Sequence, residues 1–255
     1  MKKILYLIKL CIKILIRFVF SCISGGENCL ICGARTIVYP VCSRCRSSRL
    51  DPPLEVKRCR ICGKELLSTN DTCFQCREKP VIQSLDKVLP LYSYRIWNKE
   101  LMFMWKSQEI RSLSIMFARI LNRVLKKIGV EFIIPVPPRK GKLQEKGWDQ
   151  IDELCNLLEF IYGFKILRLL ERKTKQEQKK LGREGRLEQI GKAYYLASPN
   201  KVKKALKPYG AKLPDSVCLL DDVCTTGSTL ESCAHILKEE LKIPIVNAVT
   251  LFTVD

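Results

Sequence analysis

The stretch VCLLDDVCTTGST, residues 217–229, decides the fold of this chain. It runs from four apolar residues through two acids into a turn of small residues, and an apolar helical pattern follows at about 228–241. A strand that ends directly before a helix is typical of a doubly wound sheet, in which ligands bind where strands end and helices begin. We therefore expect a strand with a binding site at its carboxyl end.

The turn in this stretch has the composition of a phosphate-binding loop. Backbone amides of residues 225–229 can point at one dianionic phosphate, aided by the helix N-terminus, and Gly227 allows a close approach. Hydroxyl donors come from Thr225, Thr226, Ser228 and Thr229. The carboxylates of Asp221 and Asp222 would be costly beside a phosphate, but the vicinal hydroxyls of a ribose would satisfy them. The alternative is a strand followed by an ordinary helix capped by Ser or Thr.

The same stretch resembles the PRPP signature of type I phosphoribosyltransferases, where PRPP is phosphoribosyl pyrophosphate. The resemblance implies that Asp221 and Asp222 are the catalytic pair and hold the ribose 2′ and 3′ hydroxyls, directly or through a Mg²⁺ shell. It also implies that residues 225–229 bind the 5′-phosphate. Purine-salvage members of that superfamily carry an Asp where this chain has Thr225, so we expect no base directed at a purine ring.

From about 28 to 254 the chain resembles the ComF family, competence-associated proteins that join a cysteine-rich zinc module to the transferase fold. IIPVPPRKGKLQEKGWDQIDELC, residues 133–155, resembles the family's segment with two prolines, a basic stretch and a Gly-aromatic-Asn-Gln turn. Asp149 replaces the Asn of that turn. By resemblance, Pro137 and Arg139 would meet the pyrophosphate, and the basic loop at 172–186 would close over it.

Lys and Arg side chains of these two segments would form a cationic clamp, although each of them alone is also compatible with a solvated surface charge. The candidates are Arg139, Lys140, Lys173, Arg183 and Arg186. The loop also resembles the family's pattern of Gln, Leu, Arg and Asn, here Gln178, Leu181, Arg186 and Gln189. Gln189 departs from the Asn of that pattern.

Eight of the fourteen cysteines form two copies of a four-thiolate zinc spacing. The first copy is Cys29, Cys32, Cys42 and Cys45, and the second is Cys59, Cys62, Cys73 and Cys76. Gly33 and Gly63 suit the tight knuckle after the first pair of each copy. Because each copy is complete, we expect one structural Zn²⁺ per copy, although interleaved pairing would use the same residues. Disulfides or a redox Cys-x-x-Cys are the alternatives.

The other six cysteines lie in apolar runs, where a free cysteine behaves as a small buried hydrophobe. They are Cys11, Cys22, Cys155, Cys218, Cys224 and Cys233. Free thiols together with metal-binding pairs predict a reducing, cytoplasmic compartment. The single histidine, His235, falls in the last helical pattern and is expected to be an ordinary helix residue rather than a catalyst or ligand.

The charge balance points to a polyanionic partner. Lys and Arg outnumber Asp and Glu by 45 to 26, which leaves a formal charge of +19, and nucleic acid, phosphates or an acidic membrane surface would fit it. In one interpretation the zinc module has only a structural role and replaces a missing hydrophobic core. In the alternative it also contacts single-stranded DNA. Its phosphate contacts would be Arg44, Arg46, Arg49, Arg58 and Arg60. Trp97, Trp105 and Trp148 would stack bases if exposed, but helical spacing favours a core position for Trp105.

Residues 1–24 are apolar, but Lys9, Lys13 and Arg17 form one stripe at four-residue spacing. As a spanning helix the segment would bury three charges at about 2.5–3.5 kcal/mol each, which nearly cancels the gain from its apolar residues. A helix lying in a membrane surface keeps the stripe among lipid headgroups. A helix packed on the protein is the second alternative, and a signal or lipoprotein signal ending at Cys22 is the third.

These patterns divide the chain into a basic amphipathic helix (1–24), a double zinc-ribbon module (25–80) and a phosphoribosyltransferase-like domain (81–255). The expected fold is α/β, with a parallel sheet and flanking helices after the small cysteine-rich module. Strands are predicted at 88–94, 132–137, 194–196, 216–222 and 244–253. One helix is predicted at 98–127, another is capped by Asp149, and a mobile loop is expected at 171–192.

The expected function is a PRPP-binding protein of the ComF type. The resemblance implies a role in DNA uptake, with the uptake machinery as partner, and single-stranded DNA is the expected ligand of the basic surface. The alternative is an active transferase of nucleotide metabolism that moves ribose 5-phosphate from PRPP to an unidentified acceptor. The expected location is cytoplasmic, with peripheral contact on the inner face of the membrane through residues 1–24.

Overall fold

The computed structural model describes residues 2–37, 39–94, 96–138, 141–142, 145, 147–173 and 193–254. Its helices are α1 (Lys2–Ile23), α2 (Ser43–Arg49), α3 (Phe74–Glu78), α4 (Ile96–Lys106), α5 (Ser112–Lys127), α6 (Gln150–Phe160), α7 (Pro199–Leu206) and α8 (Ser228–Leu241). Its strands are β1 (Glu27–Asn28), β2 (Arg35–Thr36), β3 (Lys87–Ser93), β4 (Phe132–Pro135), β5 (Lys165–Ile166), β6 (Leu170–Arg172), β7 (Tyr194–Leu196), β8 (Ser216–Cys224) and β9 (Ile245–Thr253).

A parallel sheet of five strands forms the centre of the fold, in the order β3-β9-β8-β4-β5. β8 lies in the middle, where Leu219 pairs with Ile134 of β4 and Leu220 pairs with Val249 of β9. Its residues from Val217 to Leu220 are all buried, as expected for a parallel strand covered on both faces. The predicted α/β class with a helix-flanked parallel sheet is confirmed.

Each face of the sheet carries its own hydrophobic core because successive residues of a strand point to opposite sides. Cys218 and Leu220 of β8 pack with residues of α4, α5 and α6. Val217 and Leu219 pack on the other face with residues of α7 and α8. The prediction of a helix covering the sheet at about 228–241 is therefore confirmed.

The predicted strand at 194–196 exists but does not join the central sheet. β7 pairs antiparallel with β6, with Glu171 opposite Tyr195, in a separate sheet of two strands. Residues 171 and 172, assigned to a mobile loop from the sequence, therefore belong to a strand. The remainder of that predicted loop, residues 174–192, lies outside the described residues.

The single helix predicted at 98–127 is wrong, because the chain breaks between α4 and α5. The amides of Ser107 and Gln108 both donate to the Phe103 carbonyl, and Glu109 has a φ of 55°. The break lets the buried indole of Trp105 donate to Ser114 Oγ at 2.8 Å, across the gap. A left-handed residue ends a helix, and no glycine or proline marks the break in the sequence.

Local signals explain two other helix starts. Asp149 caps α6 as predicted, since its Oδ1 accepts from the amides of Ile151 and Asp152 at 3.0 and 2.9 Å. α7 was not predicted, although Pro199 in its first turn after Ser198 is a common start signal. Its buried residues Val202 and Leu206 hold it against the α8 face of the sheet.

The cysteine-rich segment packs on the sheet at the β3 edge. The Tyr92 hydroxyl of β3 donates to the Leu50 carbonyl at 2.7 Å, and the guanidinium of Arg58 donates to the carbonyls of Gly63 and Pro90 at 3.0 and 2.9 Å. Val41 and Leu50 belong to the same hydrophobic core as the sheet. The predicted domain boundary at residue 80 stays a prediction, because one hydrophobic core contains residues from both sides of that boundary.

α1 is helical as expected and rests on α6, with the rings of Tyr6 and Phe160 4.9 Å apart. The prediction that Cys11 and Cys22 are buried is wrong, because the side of α1 that carries them faces outward. The other four cysteines of that group are buried as predicted. Among the described residues, no helix combines the length and the apolar composition needed to cross a bilayer. Contact of α1 with a membrane surface stays a prediction.

The two knuckle glycines offer a matched test of this packing. Both have a φ of 72°, but a Cβ on Gly33 would have open space, whereas one on Gly63 would lie 2.0 Å from the Val88 carbonyl oxygen of β3. Gly33→Ala is expected to cost about 1–2 kcal/mol, the usual cost of a left-handed alanine. Gly63→Ala is expected to cost about 1–3 kcal/mol more, because the knuckle must move off the strand.

Urea unfolding of both variants with Zn²⁺ present would measure the difference. Equal losses of free energy of unfolding in the two variants would contradict the docking of the second knuckle against β3.

Candidate functional site

Two acids stand at the carboxyl end of the central strand, where the sequence predicted them. Asp222 points toward α4, and its Oδ2 lies 2.5 Å from Lys106 Nζ. Asp221 lies on the opposite face, within electrostatic range of Cys233 on α8 and of Tyr194 on β7. Adjacent strand residues point to opposite sides. One of the two carboxyl groups therefore lies on each face of the sheet at the end of β8.

The surroundings of Asp221 disfavour its charged form. Burial, and next the charge of Asp222, raise the pKa of Asp221, although the Asp222 amide donates to Asp221 Oδ1 at 2.8 Å. A cation or a set of hydroxyl donors beside it would favour its charged form.

The turn after the acids leads directly into α8. Gly227 has a φ of 83° and precedes the first turn of α8, and as the N-cap residue it provides no side-chain cap. The nearest side-chain acceptor is Thr226 Oγ1, which lies 3.4 Å from the Ser228 amide. Thr225 and Thr226 are exposed, Ser228 and Thr229 are partly buried, and Thr226 Oγ1 lies 2.6 Å from Ser228 Oγ. The helix N-terminus therefore keeps amides available to an anion, as at known phosphate sites.

The linker from the cysteine-rich segment is anchored beside this turn. The amides of Gln83 and Ser84 donate to the Glu231 carboxylate, at 2.8 and 2.9 Å to Oε2, and the Ser84 hydroxyl donates to its Oε1 at 2.7 Å. A Cβ at Gly227 would lie 2.6 Å from Ile82 Cδ1. Glycine is therefore required both by the backbone angle and by the close approach of Ile82.

The proline turn meets the same edge of the sheet. The Val136 amide donates to the Leu220 carbonyl at 3.0 Å, so Pro137 leaves β4 beside the residue that precedes Asp221. Lys173 follows β6 directly and is partly buried. The other clamp candidates and the loop pattern lie outside the described residues: Arg139, Lys140, Gln178, Leu181, Arg183, Arg186 and Gln189.

Lys106 was not among the sequence candidates for this site. It ends α4, more than a hundred residues before Asp222, and its ion pair depends on how α4 packs on the sheet. No local signal identifies it. His235, by contrast, lies exposed on α8, and nothing in the geometry gives it a role.

Both cysteine tetrads are assembled as predicted, each from its own copy of the spacing. Within each tetrad the sulfur atoms all lie within 4.8 Å of one another. Cys32 Sγ and Cys42 Sγ are 3.7 Å apart, as are Cys62 Sγ and Cys73 Sγ. Zn–S bonds of about 2.3 Å in a tetrahedron require an S···S distance of about 3.8 Å. The tetrads fit Zn²⁺, and each could hold one ion.

Comparison with known proteins gives two curated relatives. Competence protein ComFC of Streptococcus pneumoniae (strain ATCC BAA-255 / R6) is 25% identical over 201 residues, which cover 78% of this chain and 81% of the relative. Competence protein ComFC of Bacillus subtilis (strain 168) is 24% identical over 229 residues, which cover 89% and 78%. No family model matches the chain. These two relatives support a ComF-family assignment.

Both ComF-family relatives are named competence proteins, which supports a competence-associated role for the family. The matched lengths cover most of each chain, so the similarity is not confined to one motif. It extends over more of the chain than either the cysteine-rich segment or the sheet alone.

The basic surface of this chain differs from the prediction at Arg58. Its guanidinium is partly buried and donates to three carbonyls, including that of Pro53 at 2.7 Å, so it serves packing instead of phosphate contact. Arg60 pairs with Asp71 at 3.1 Å. Arg44 and Arg49 are exposed on α2, and Arg46 lies over the Tyr39 ring at 4.5 Å.

Two of the three predicted stacking tryptophans are not available as platforms. Trp105 and Trp148 are buried in the core, because each fills the space between helices, and the side chain of Trp97 lies outside the described residues. Two other aromatic side chains of the cysteine-rich segment are exposed, Tyr39 and Phe74, the latter by 68%. The sequence analysis missed both.

The two cysteine tetrads predict the zinc content of the purified chain. The purified chain is expected to carry two Zn²⁺ ions, one in each tetrad. Cys32→Ser is expected to lower the content to about one ion and to destabilise the chain, because the site loses a thiolate ligand. Cys11→Ser, at an exposed cysteine outside the tetrads, is expected to leave the zinc content unchanged.

Atomic emission spectroscopy of the three proteins measures this content. A wild-type chain without zinc, or equal zinc loss in both variants, would contradict the assignment.

Proposed function

We propose that the chain binds PRPP at the carboxyl end of β8. In this proposal the amides and hydroxyls of residues 225–229 hold the 5′-phosphate, and Asp221 and Asp222 face the ribose hydroxyls. Pro137 lies beside the same strand end, where the pyrophosphate would lie, and Arg139 follows it in the sequence. The competence-associated role of the ComF relatives is compatible with such a ligand.

The observation that carries the proposal is the N-terminus of α8, whose N-cap Gly227 provides no side-chain cap, directly after two partly buried acids. A phosphate would accept from the amides of the first turn, where the helix dipole favours an anion. The two carboxylates lie before the turn on opposite faces of β8, and hydroxyl donors would offset the cost of burying them. A purely structural helix start would not require this combination.

The residues of this site suit the binding of PRPP more clearly than the catalysis of phosphoribosyl transfer. Mg²⁺, when bound with PRPP, would neutralise charge on the pyrophosphate leaving group. Asp221 and Asp222 would steady positive charge that develops on the sugar. Lys106 already neutralises Asp222, so a ligand that uses Asp222 must share that carboxylate with the ammonium group.

Isothermal titration with PRPP and Mg²⁺ tests the proposal. Asp221→Asn combined with Asp222→Asn is expected to weaken PRPP binding by at least about tenfold, since a hydrogen bond to a charged group contributes about 1.5–3 kcal/mol. Asp215→Asn is the matched control, because Asp215 is exposed just before the opposite end of β8. Its affinity should equal that of the wild type.

No heat of binding with the wild type, or equal affinity in all three proteins, would overturn the PRPP site. Pyrophosphate release in the presence of bases or DNA would identify an active phosphoribosyltransferase, the alternative function. Binding without release would identify a PRPP sensor.

We also propose that the cysteine-rich segment contacts single-stranded DNA. The support is the charge of +19, the exposed arginines Arg44 and Arg49, and the exposed rings of Tyr39 and Phe74. Single strands are bound by basic side chains on the backbone and aromatic side chains under the bases. Both relatives are named competence proteins, which suggests a role linked to DNA uptake and supports this proposal.

The salt dependence of DNA binding tests whether these arginines contact phosphates. With a labelled thymidine oligonucleotide, Arg44→Gln combined with Arg49→Gln should lower the slope of log K against log salt by about 1.4, or about 0.7 per lost phosphate contact. Lys203→Gln combined with Lys204→Gln removes the same charge from α7 and should leave the slope unchanged. Fluorescence anisotropy across a salt series measures both, and a flat response of the wild type would exclude the proposal.

A further inference from the structure

A cavity of about 580 Å³ lies between α1 and the body of the protein. Its walls come from one side of α1, the start of α5, the turn that precedes α6, and α6 itself. Its lining shares no residue with the set proposed to hold PRPP. Cavities of this size hold small organic ligands.

α1 is oriented opposite to an ordinary surface helix. Its basic residues Lys9, Lys13 and Arg17 line the cavity, whereas its large apolar side chains are turned outward. Those that are at least 45% exposed are Ile4, Leu5, Ile8, Ile12, Leu15, Ile16, Phe18, Val19, Phe20 and Ile23. A soluble helix normally buries its apolar stripe. The basic side of α1 therefore faces the cavity.

The acids of the cavity wall are already neutralised. Asp149 lies 2.5 Å from Lys142 Nζ, Asp152 lies 2.7 Å from the Arg168 guanidinium, and Glu153 lies 2.7 Å from that of Arg111. Arg17 likewise donates to Glu27, at 2.9 Å from Nε. Each of these charges has a partner of opposite sign.

Lys9 and Lys13 differ from the other charged groups of the wall. Among the described residues, no carboxylate oxygen lies within an ion-pair distance of 4.0 Å from either ammonium nitrogen. Two unpaired cations thus face one cavity from one helix. An anion in the cavity would form ion pairs with both ammonium groups.

Two buried donors of the same wall also lack partners. The indole Nε1 of Trp148 and the hydroxyl of Ser112 have no hydrogen-bond acceptor among the described residues, and Trp148 is only 5% exposed. A buried donor left unpaired costs free energy. An acceptor group in the cavity would remove that cost.

The remainder of the wall is apolar and includes Leu10, Ile14 and Leu157. The cavity therefore combines unpaired cations and donors with an apolar lining, and no unpaired acid competes with an anion. Inorganic phosphate would use only the first part of this wall. A hydrocarbon would use only the second.

We propose that this cavity binds an amphiphilic anion, a molecule with one phosphate or carboxylate and an apolar chain. Lys9 and Lys13 bind the anionic group, the donors of Trp148 and Ser112 add hydrogen bonds to it, and the apolar wall takes the chain. The ligand comes either from a membrane leaflet or from solution, since both sources offer the same chemistry. The site does not depend on PRPP binding.

Dodecyl phosphate below its micelle-forming concentration is a suitable probe, because it carries one phosphate and one apolar chain. Calorimetry with the full zinc-loaded chain is expected to show one saturable site. Lys9→Gln combined with Lys13→Gln should weaken binding by more than about tenfold, and Trp148→Phe by about fivefold, since it removes one neutral hydrogen bond and keeps the ring. Inorganic phosphate and dodecyl maltoside should show no saturable binding.

Two controls separate the cavity from other surfaces. Lys207→Gln combined with Lys212→Gln removes the same charge elsewhere and should leave the affinity unchanged. Ile8→Gln combined with Ile12→Gln alters only the outward face of α1 and should also leave it unchanged. Zinc content and far-ultraviolet circular dichroism confirm that each variant is folded.

Sedimentation with phosphatidylglycerol vesicles distinguishes the two sources. Vesicle binding that is lost in the Lys9 and Lys13 variant supports a membrane lipid, and dodecyl phosphate binding without vesicle binding supports a soluble amphiphile. The proposal is overturned if dodecyl phosphate shows no saturable site. It is also overturned if the outward-face variant loses binding while the Lys9 and Lys13 variant keeps it, or if the charge control loses as much affinity as that variant.

Discussion

β8 hydrogen-bonds to β4 on one side and to β9 on the other, and all three strands run parallel. This arrangement brings their carboxyl ends to one edge of the sheet, where Asp221, Asp222 and Pro137 meet. Because both faces of β8 are covered by helices, its polar side chains lie at the strand ends, and the two acids lie at the carboxyl end. The position of the candidate site is therefore a consequence of how the core is packed.

The contacts around this edge come from parts of the chain that are far apart in sequence. Lys106 pairs with Asp222 from α4, and the linker residue Ile82 packs on Gly227 while its neighbours bind Glu231. The cysteine-rich segment is thus connected to the turn at Gly227 through a few residues of linker.

α1 shows that a charge pattern can identify an amphipathic helix without identifying what its basic residues contact. The stripe of Lys9, Lys13 and Arg17 indicates an amphipathic helix, and in isolation a basic stripe is expected to face water or lipid headgroups. In the structure it lines a cavity, because Glu27 and the aromatic contact of Tyr6 with Phe160 fix the rotation of the helix. The outward face is apolar as a result.

The sequence by itself determined the features that depend on neighbouring residues: the two cysteine tetrads, the strand, turn and helix around Gly227, and the cap at Asp149. Each of these is specified by spacing within a short segment, since the period of a strand or helix and the geometry of a knuckle are local properties. Only the tertiary structure decided the ion pair of Lys106, the packing role of Arg58, the burial of Trp148 and the break between α4 and α5. These depend on which surfaces meet when the helices pack on the sheet, and the local periodicity of a sequence does not contain that information.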